Sequence, residues 1–339
     1  MNKSGVMILG PGWVAGEHIK GYQQSEYTEV RSIVGIDQTS KKKAEEYIAE
    51  YRLDATYSEN YEQELARGDI DIVSICLINN LHYQATLQAL QARKHVLIEK
   101  PLCLSLEELK RLREEVKAAG IMTMIGHVAR WYPAMVNAHK LVDQNKLGHI
   151  FYGESDYWHE IAPGWKTKAE TAGSSLLMGG CHSVDLLRWF MGMERRVREV
   201  YAYTTGPHRR KDFEYPPAIS GILKFEDGAI GRIGCCLEST MPYVFHYQFT
   251  GTGGTVRNNR FYLNQWEGDK RKFKEIEGRT ADDPDVTHHP FPQEIQYFIE
   301  CIRQNTEPQL SILNSYHTYE IIFAMEESAK TEKPVSLPL

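Results

Sequence analysis

In the first third of the chain, short unbroken apolar runs alternate with stretches of helical period. Val6-Met7-Ile8-Leu9 has strand length and stops at Gly10-Pro11-Gly12; residues 13–24 then carry a helical pattern, and 30–36 form a second strand. Residues 41–51 read as an exposed helix, 70–77 as a third, buried strand, 82–93 as a helix and 95–98 as a fourth strand. A helix over 106–119, closed by Gly120, leads to a fifth strand over 121–125. Strands that are apolar along their whole length are covered on both faces, which predicts a parallel sheet. The right-handed crossover rule makes that sheet doubly wound.

Beyond residue 127 the texture changes. Runs of mixed polarity over 197–205, 218–225, 229–239 and 243–250 read as longer strands; Ile219, Gly221, Leu223 and Phe225 alternate with Ser220, Ile222 and Lys224. Asp227-Gly228 between two of these runs is a hairpin signal. Successive hairpins predict an α+β domain with a largely antiparallel sheet, covered on one face by helices over 181–190, 293–303 and 316–329. The other face is expected to stay open. A one-sided sheet is a natural meeting place for subunits, so a homodimer or homotetramer through that face is expected. The predicted division is 1–127 and 128–339.

Composition narrows the class without naming a chemistry. The 339 residues give a prior of two domains at about 150 residues each. With 42% hydrophobic and 25% charged residues the chain has globular composition, and a net charge of −6 supplies no electrostatic reason to bind nucleic acid. No apolar stretch approaches the roughly 20 residues of a membrane span, and the N-terminal apolar run is too short for a secretory signal. The six cysteines, at 76, 103, 181, 235, 236 and 301, contain no Cys-x-x-Cys pair. They read as reduced thiols of a cytoplasmic protein.

Gly10-Pro11-Gly12-Trp13-Val14-Ala15 fits G-x-G-x-x-G/A between a strand and a helix. The first glycine permits the tight turn, the second lets the backbone approach a pyrophosphate, and Ala15 allows close packing of helix on strand. The helix start supplies N–H groups and partial positive charge for the diphosphate. The second strand ends in Asp37, placed to accept hydrogen bonds from ribose hydroxyls and to repel a 2′-phosphate. NAD is therefore favoured over NADP, although Thr39, Ser40 and Lys41 could hold a phosphate; the competing reading of Asp37 is a helix N-cap. This makes the first domain Rossmann-type. In His95-Val96-Leu97-Ile98-Glu99-Lys100-Pro101, Lys100 stands at the end of the fourth strand, where such sheets bind ligands, and Pro101 restricts where it points. There it is suited to take a hydroxyl proton as hydride leaves, or to hold the alkoxide; a surface Lys–Glu pair is the plainer reading.

The ordered set Gly10-x-Gly12-x-x-Ala15, Asn79 with His82, Lys94-His95-Val96 through Glu99-Lys100-Pro101, the 173–192 segment and Pro334-Val335 resembles the glucose–fructose oxidoreductase/inositol dehydrogenase (Gfo/Idh/MocA) family over nearly the full length. The resemblance implies an NAD(P)-dependent enzyme acting on a ring hydroxyl or keto group of a sugar or cyclitol. It implies that Lys100 assists proton transfer and that Asn79 lies near the nicotinamide-side ribose. Cofactor contacts are expected from Gly10, Gly12, Trp13, Val14, Asp37, Asn79, His82, Glu99 and Lys100.

Gly179-Gly180-Cys181-His182-Ser183-Val184-Asp185 reads as a loop entering a helix, with His182 and Asp185 on one face near its start. The helix dipole there favours a neutral histidine able to act as base; Asp185 would oppose that or orient the ring. Lys100, His182 and Asp185 are the catalytic candidates. The family pattern usually has Asp four residues before this histidine, where this chain has Met178; a proline expected before Asn79 is Ile78. Three readings follow: Lys100 and His182 suffice, a carboxylate such as Asp185 substitutes, or the chemistry differs. Tyr157, His159 and Trp165 are substrate-side candidates, since aromatics stack on sugar faces and histidines read hydroxyls. Arg130-Trp131-Tyr132-Pro133 resembles a domain-junction element, and His288-His289-Pro290, which precedes a helix over 291–303, is expected to close over the cleft. Cys181, His182, Asp185, His159 and His288 reproduce no zinc spacing, and no metal is expected.

The leading expectation is an NAD-dependent dehydrogenase with a carbohydrate or cyclitol substrate. Two alternatives stand beside it. One is a redox-neutral enzyme that cleaves, eliminates or epimerises through a transient keto intermediate. The other is a non-catalytic module that binds NAD or a sugar.

Overall fold

The computed structural model describes residues 3–265, 272–280 and 288–339. Their contacts gather into two compact units, Met1–His127 with Pro290–Tyr316, and Val128–His289 with His317–Leu339. The first holds six parallel strands: β1 (Ser4–Leu9), β2 (Thr28–Val34), β3 (Thr56–Ser58), β4 (Ile72–Ile75), β5 (His95–Glu99) and β6 (Thr123–Gly126). Their order is β3-β2-β1-β4-β5-β6. The order reverses between β1 and β4, so the ligand crevice of a doubly wound sheet lies beyond the carboxyl ends of those strands. Val6–Ile8, Val73 and Val96–Ile98 have no exposed surface, as expected of strands sandwiched between helices. The helices are α1 (Trp13–Gln23), α2 (Gln38–Glu50), α3 (Tyr61–Leu65), α4 (His82–Gln91) and α5 (Leu106–Ala119). Five strands are legible as apolar runs. The sixth, β3, is a three-residue edge strand without such a run, and it escaped the pattern.

The second unit is built on nine strands: β7 (Ile150–Trp158), β8 (Val197–Thr205), β9 (Ala218–Phe225), β10 (Ile230–Cys236), β11 (Val244–Gly251), β12 (Gly254–Arg257), β13 (Arg260–Leu263), β14 (Lys274–Glu275) and β15 (Val335–Ser336). They lie in the order β14-β13-β12-β11-β7-β10-β9-β8-β15. All neighbours are antiparallel except β7 and β10, which run parallel at the centre. Its helices are α6 (Pro133–Asp143), α7 (Ala169–Ala172) and α8 (Cys181–Met191). The inward row Phe249, Gly153, Gly231 and Leu223 follows from the register and is buried. Phe190 of α8 stacks on Phe249 with ring centroids 4.4 Å apart. The outward row keeps Ile222 and Tyr203 more than half exposed, which is the open face expected from the alternation.

Two helices complete the chain, α9 (Phe291–Gln304) and α10 (Ile312–Thr331). The sequence reading placed α9 on the second sheet within 128–339; the structure gives Pro290–Tyr316 to the first unit instead. The cause is a stripe of Phe291, Ile295, Phe298 and Ile299, all buried, that seats on α1. A Cβ at Gly21 of α1 would stand 2.5 Å from Ile295, and Gln296 Nε2 donates to the Gly21 carbonyl at 2.8 Å. Periodicity identifies a helix face that will be buried, but not the partner it meets. Among the described residues no helix is long and apolar enough to cross a membrane.

Candidate functional site

The glycine-rich turn follows β1 directly. Gly10 adopts φ +90°, and a Cβ there would stand 2.8 Å from Leu77 and 2.9 Å from the Cys76 carbonyl, so a side chain is excluded on two grounds. Gly12 is the residue before α1, and a Cβ built on it would meet nothing within 4 Å. That open space, a first helical turn without acidic residues and a helix start without a side-chain cap together fit a diphosphate. Ala15 is fully buried, and Tyr47 Oη donates to the Gly12 carbonyl at 2.9 Å, bracing the turn from α2. Trp13 is exposed and Val14 half-buried, at the mouth of the same turn.

Asp37 lies exposed at the end of β2, where the sequence places it, and it is also the N-cap of α2. Its Oδ1 accepts from Ser40 N at 2.7 Å and from Ser40 Oγ at 2.8 Å, which holds the carboxyl below its ordinary range. A carboxylate has about four acceptor positions, so capping and ribose binding are compatible rather than alternatives. Ser40 is committed to this cap, which removes one of the hydroxyls that could hold a 2′-phosphate.

Asn79 is buried at the turn after β4. His82 is also buried, and its role differs from the expected cofactor contact. Nδ1 lies 2.6 Å from the Pro101 carbonyl and Nε2 2.9 Å from the Leu77 carbonyl, so both ring nitrogens are spent on backbone. Burial pushes its pKa down. His82 ties the loop after β4 to the loop after β5. Glu99 ends β5 and is buried, with Oε1 3.2 Å from His18 Nε2. Lys100 follows it, half-buried, beyond the strand end.

In the second unit, His182 is 4% exposed and belongs to a longer helical segment than the sequence suggests. Gly179-Gly180 is not a loop: Leu176–Gly180 forms a π-helical turn that runs straight into α8. His182 therefore does not sit at a free helix start, and the dipole argument for a neutral imidazole falls. The glycines serve close approach instead. A Cβ at Gly179 would stand 2.6 Å from the ring of Tyr157. A π turn at such a place commonly marks a functional site.

Asp185 is withdrawn from the catalytic set. Both its oxygens accept from Arg130, Oδ2 from Nε and Oδ1 from an amino nitrogen, each at 2.7 Å, with both side chains at most 4% exposed. A bidentate, buried guanidinium partner leaves neither oxygen to serve as a base, and Asp185 cannot replace the acid missing at Met178. Around His182 the structure gathers aromatics. Tyr157 lies within β7, its ring 5.9 Å from His182, and its hydroxyl is 3.2 Å from His159 Nδ1. Burial pushes the Tyr157 phenol up. Tyr243 meets both Tyr157 and His159, and Tyr132 Oη lies 2.8 Å from His289 Nδ1. Trp165 stands apart as an exposed residue of a 3-10 turn, with no ring contact to this cluster among the described residues. Arg130, Tyr243 and His18 were not singled out as site residues, because each joins its partner across distant parts of the chain.

Comparison with known proteins identifies the family of both domains. A model of an oxidoreductase family's NAD-binding Rossmann fold matches residues 4–127, and a model of the same family's C-terminal alpha/beta domain matches 139–337. The chain is 25% identical over 333 residues to a D-xylose 1-dehydrogenase (NADP(+)) of Haloferax volcanii, covering 97% of this chain and 98% of that protein. It is 24% identical over 337 residues to a scyllo-inositol 2-dehydrogenase (NAD(+)) of Bacillus subtilis, covering 97% and 95%. A levoglucosan dehydrogenase in complex with NADH and levoglucosan has the same fold, with a TM-score of 0.87 and 20% identity over the full length of both chains. With both domains matched, the chain belongs to the Gfo/Idh/MocA family of oxidoreductases, and its first domain is the family's NAD-binding Rossmann fold.

Proposed function

We propose that the chain is an NAD-dependent oxidoreductase acting on a ring hydroxyl or keto group of a sugar, sugar derivative or cyclitol. One observation carries the reading: Lys100 stands at the carboxyl end of β5, beyond a glycine turn and Asp37 that fit NAD. The relatives named for D-xylose and scyllo-inositol support the substrate class. NAD, when bound, supplies the hydride acceptor for an alcohol carbon. Lys100 Nζ takes the hydroxyl proton or holds the alkoxide, and His182 remains a catalytic candidate within the second unit. Tyr157, with His159 behind its hydroxyl, lines the substrate side. The outer face of the nine-stranded sheet is the surface assigned to self-association.

Lys100→Ala is expected to lower kcat by about 10²–10⁴-fold while NADH affinity changes little, measured by NADH fluorescence titration beside steady-state assays on a panel of sugars and cyclitols. Near-normal turnover would remove Lys100 from the mechanism. Met178, buried where the family's acid is expected, favours a second reading in which the hydride returns and the reaction is redox-neutral. Substrate consumed without net growth of the NADH absorbance band would select it.

A further inference from the structure

Beneath the glycine-rich turn lies a buried chain of polar groups that no role above uses. His18, in the second turn of α1, has no exposed surface. Its Nδ1 lies 2.7 Å from Ser74 Oγ on β4, and its Nε2 lies 3.2 Å from Glu99 Oε1 at the end of β5. Phe291 covers the ring at 5.6 Å. Burial by itself would lower the His18 pKa, but Cys76 and Glu99 outweigh it and hold it well above the ordinary value. Burial would likewise raise Glu99, and the hydrogen bond from His18 outweighs that and lowers it. The two directions agree on an imidazolium donating to a carboxylate.

Such a pair is a poor device for stability, since apolar side chains of the same volume serve a buried site equally well. Its placement suggests another use. Three segments open into the cofactor site: the Gly10–Gly12 turn before α1, the Asn79 turn after β4, and Lys100 after β5. His18 belongs to the helix that follows the first and bonds to the strands that carry the other two. Glu99 is the last residue of β5 and Lys100 follows it directly, at a bend. Holding the Glu99 side chain inward therefore fixes the backbone from which Lys100 leaves the strand.

We propose that His18 is the positioning residue of the cofactor site, tying α1, β4 and β5 so that the glycine turn, Asn79 and Lys100 keep one mutual geometry. Its effect on turnover rests on the proposed role of Lys100; its effect on NADH binding does not.

The test compares His18→Leu, His18→Gln and the double variant His18→Leu/Glu99→Leu by Tm, NADH Kd and, on a substrate of the wild type, kcat and KM. The double variant removes the stranded charge and is expected to match or exceed the Tm of His18→Leu. It should still bind NADH about tenfold more weakly and lose kcat about tenfold, with KM for substrate nearly unchanged. His18→Gln, which keeps a donor and an acceptor, is expected to recover most of both. A double variant with wild-type NADH Kd and kcat would overturn the proposal, because a purely structural role predicts that recovery of Tm restores them. If the His18 variants do not fold, Ser74→Ala cuts one arm of the tie without stranding a charge. An NADH Kd unchanged in that variant overturns the proposal, and one raised about threefold or more supports it. A wild type inactive on every carbohydrate would sink the functional reading alone, since the NADH titrations still decide the role of His18.

Discussion

At position 37 one carboxylate meets two demands. Asp37 caps α2 through Ser40 and stands where an adenosine ribose would be held, and the two uses separate by substitution. Asp37→Ser keeps a capping oxygen and removes the charge. It is expected to weaken NAD by about tenfold or more and to narrow the preference over NADP while leaving Tm in place. Asp37→Ala should lose the cap as well and lower Tm; steady-state kinetics with both cofactors and thermal melts read the difference. Residues of this kind were legible because their signal is local: Gly10, Gly12, Asp37 and Lys100 each sit at a strand end that the apolar pattern marks. His18 bonds residues 56 and 81 positions away, and no local pattern announces that.

At the scale of elements, the helical spacing of His182 and Asp185 was read correctly and its meaning was not. The i, i+3 relation puts them on one face, but Asp185 is turned to Arg130, in the Val128–Trp131 turn, and anchors α8 to it. Arg130→Ala is expected to cost about 3–5 kcal/mol by stranding Asp185, and Arg130→Met/Asp185→Leu to regain much of it, measured by denaturant unfolding. The start of the π turn is held from α10: Leu177 N donates to Ser174 Oγ, whose hydroxyl donates to Glu326. Burial raises the Glu326 carboxyl from near 4.5 to about 7. The folded state thus binds this proton more tightly than the unfolded chain, so this group's contribution to stability declines as pH rises from about 4.5 to about 7. Melts between pH 5 and 8 should show a shallower decline in Glu326→Gln than in wild type; equal slopes would contradict the assignment. The π turn itself left no trace in the sequence, because two glycines before a helix look like a loop.

Across the whole molecule, alternation in β9 foretold a sheet with one wet face. Register arranges that face into rows, Gln248–Glu154–Arg232–Ile222–Tyr201 and His246–Asp156–Gly234–Ser220–Tyr203. Arg232 bridges Glu154 at 3.2 Å and Asp156 at 2.5 Å beside the exposed Ile222. Exposed apolar and tyrosine side chains beside paired charges fit the core and rim of the self-association face proposed above. Ile222→Glu is expected to shift a dimer or tetramer toward monomer in light scattering after size exclusion, with Tm of the monomer unaffected.

The return of Pro290–Tyr316 to the first unit has a consequence for synthesis. Strand β6 is the last of its sheet, and Ile125 N there donates to Leu310 O while Thr123 Oγ1 accepts from Ile312 N. On the ribosome, the strands of the first sheet emerge well before Pro290–Tyr316, so its outermost strand and the α9-facing side of α1 stay bare while residues 128–289 are made. A nascent chain halted anywhere between the end of β6 and residue 290 carries that raw edge, so the parallel sheet is covered only after most of the second unit has been made.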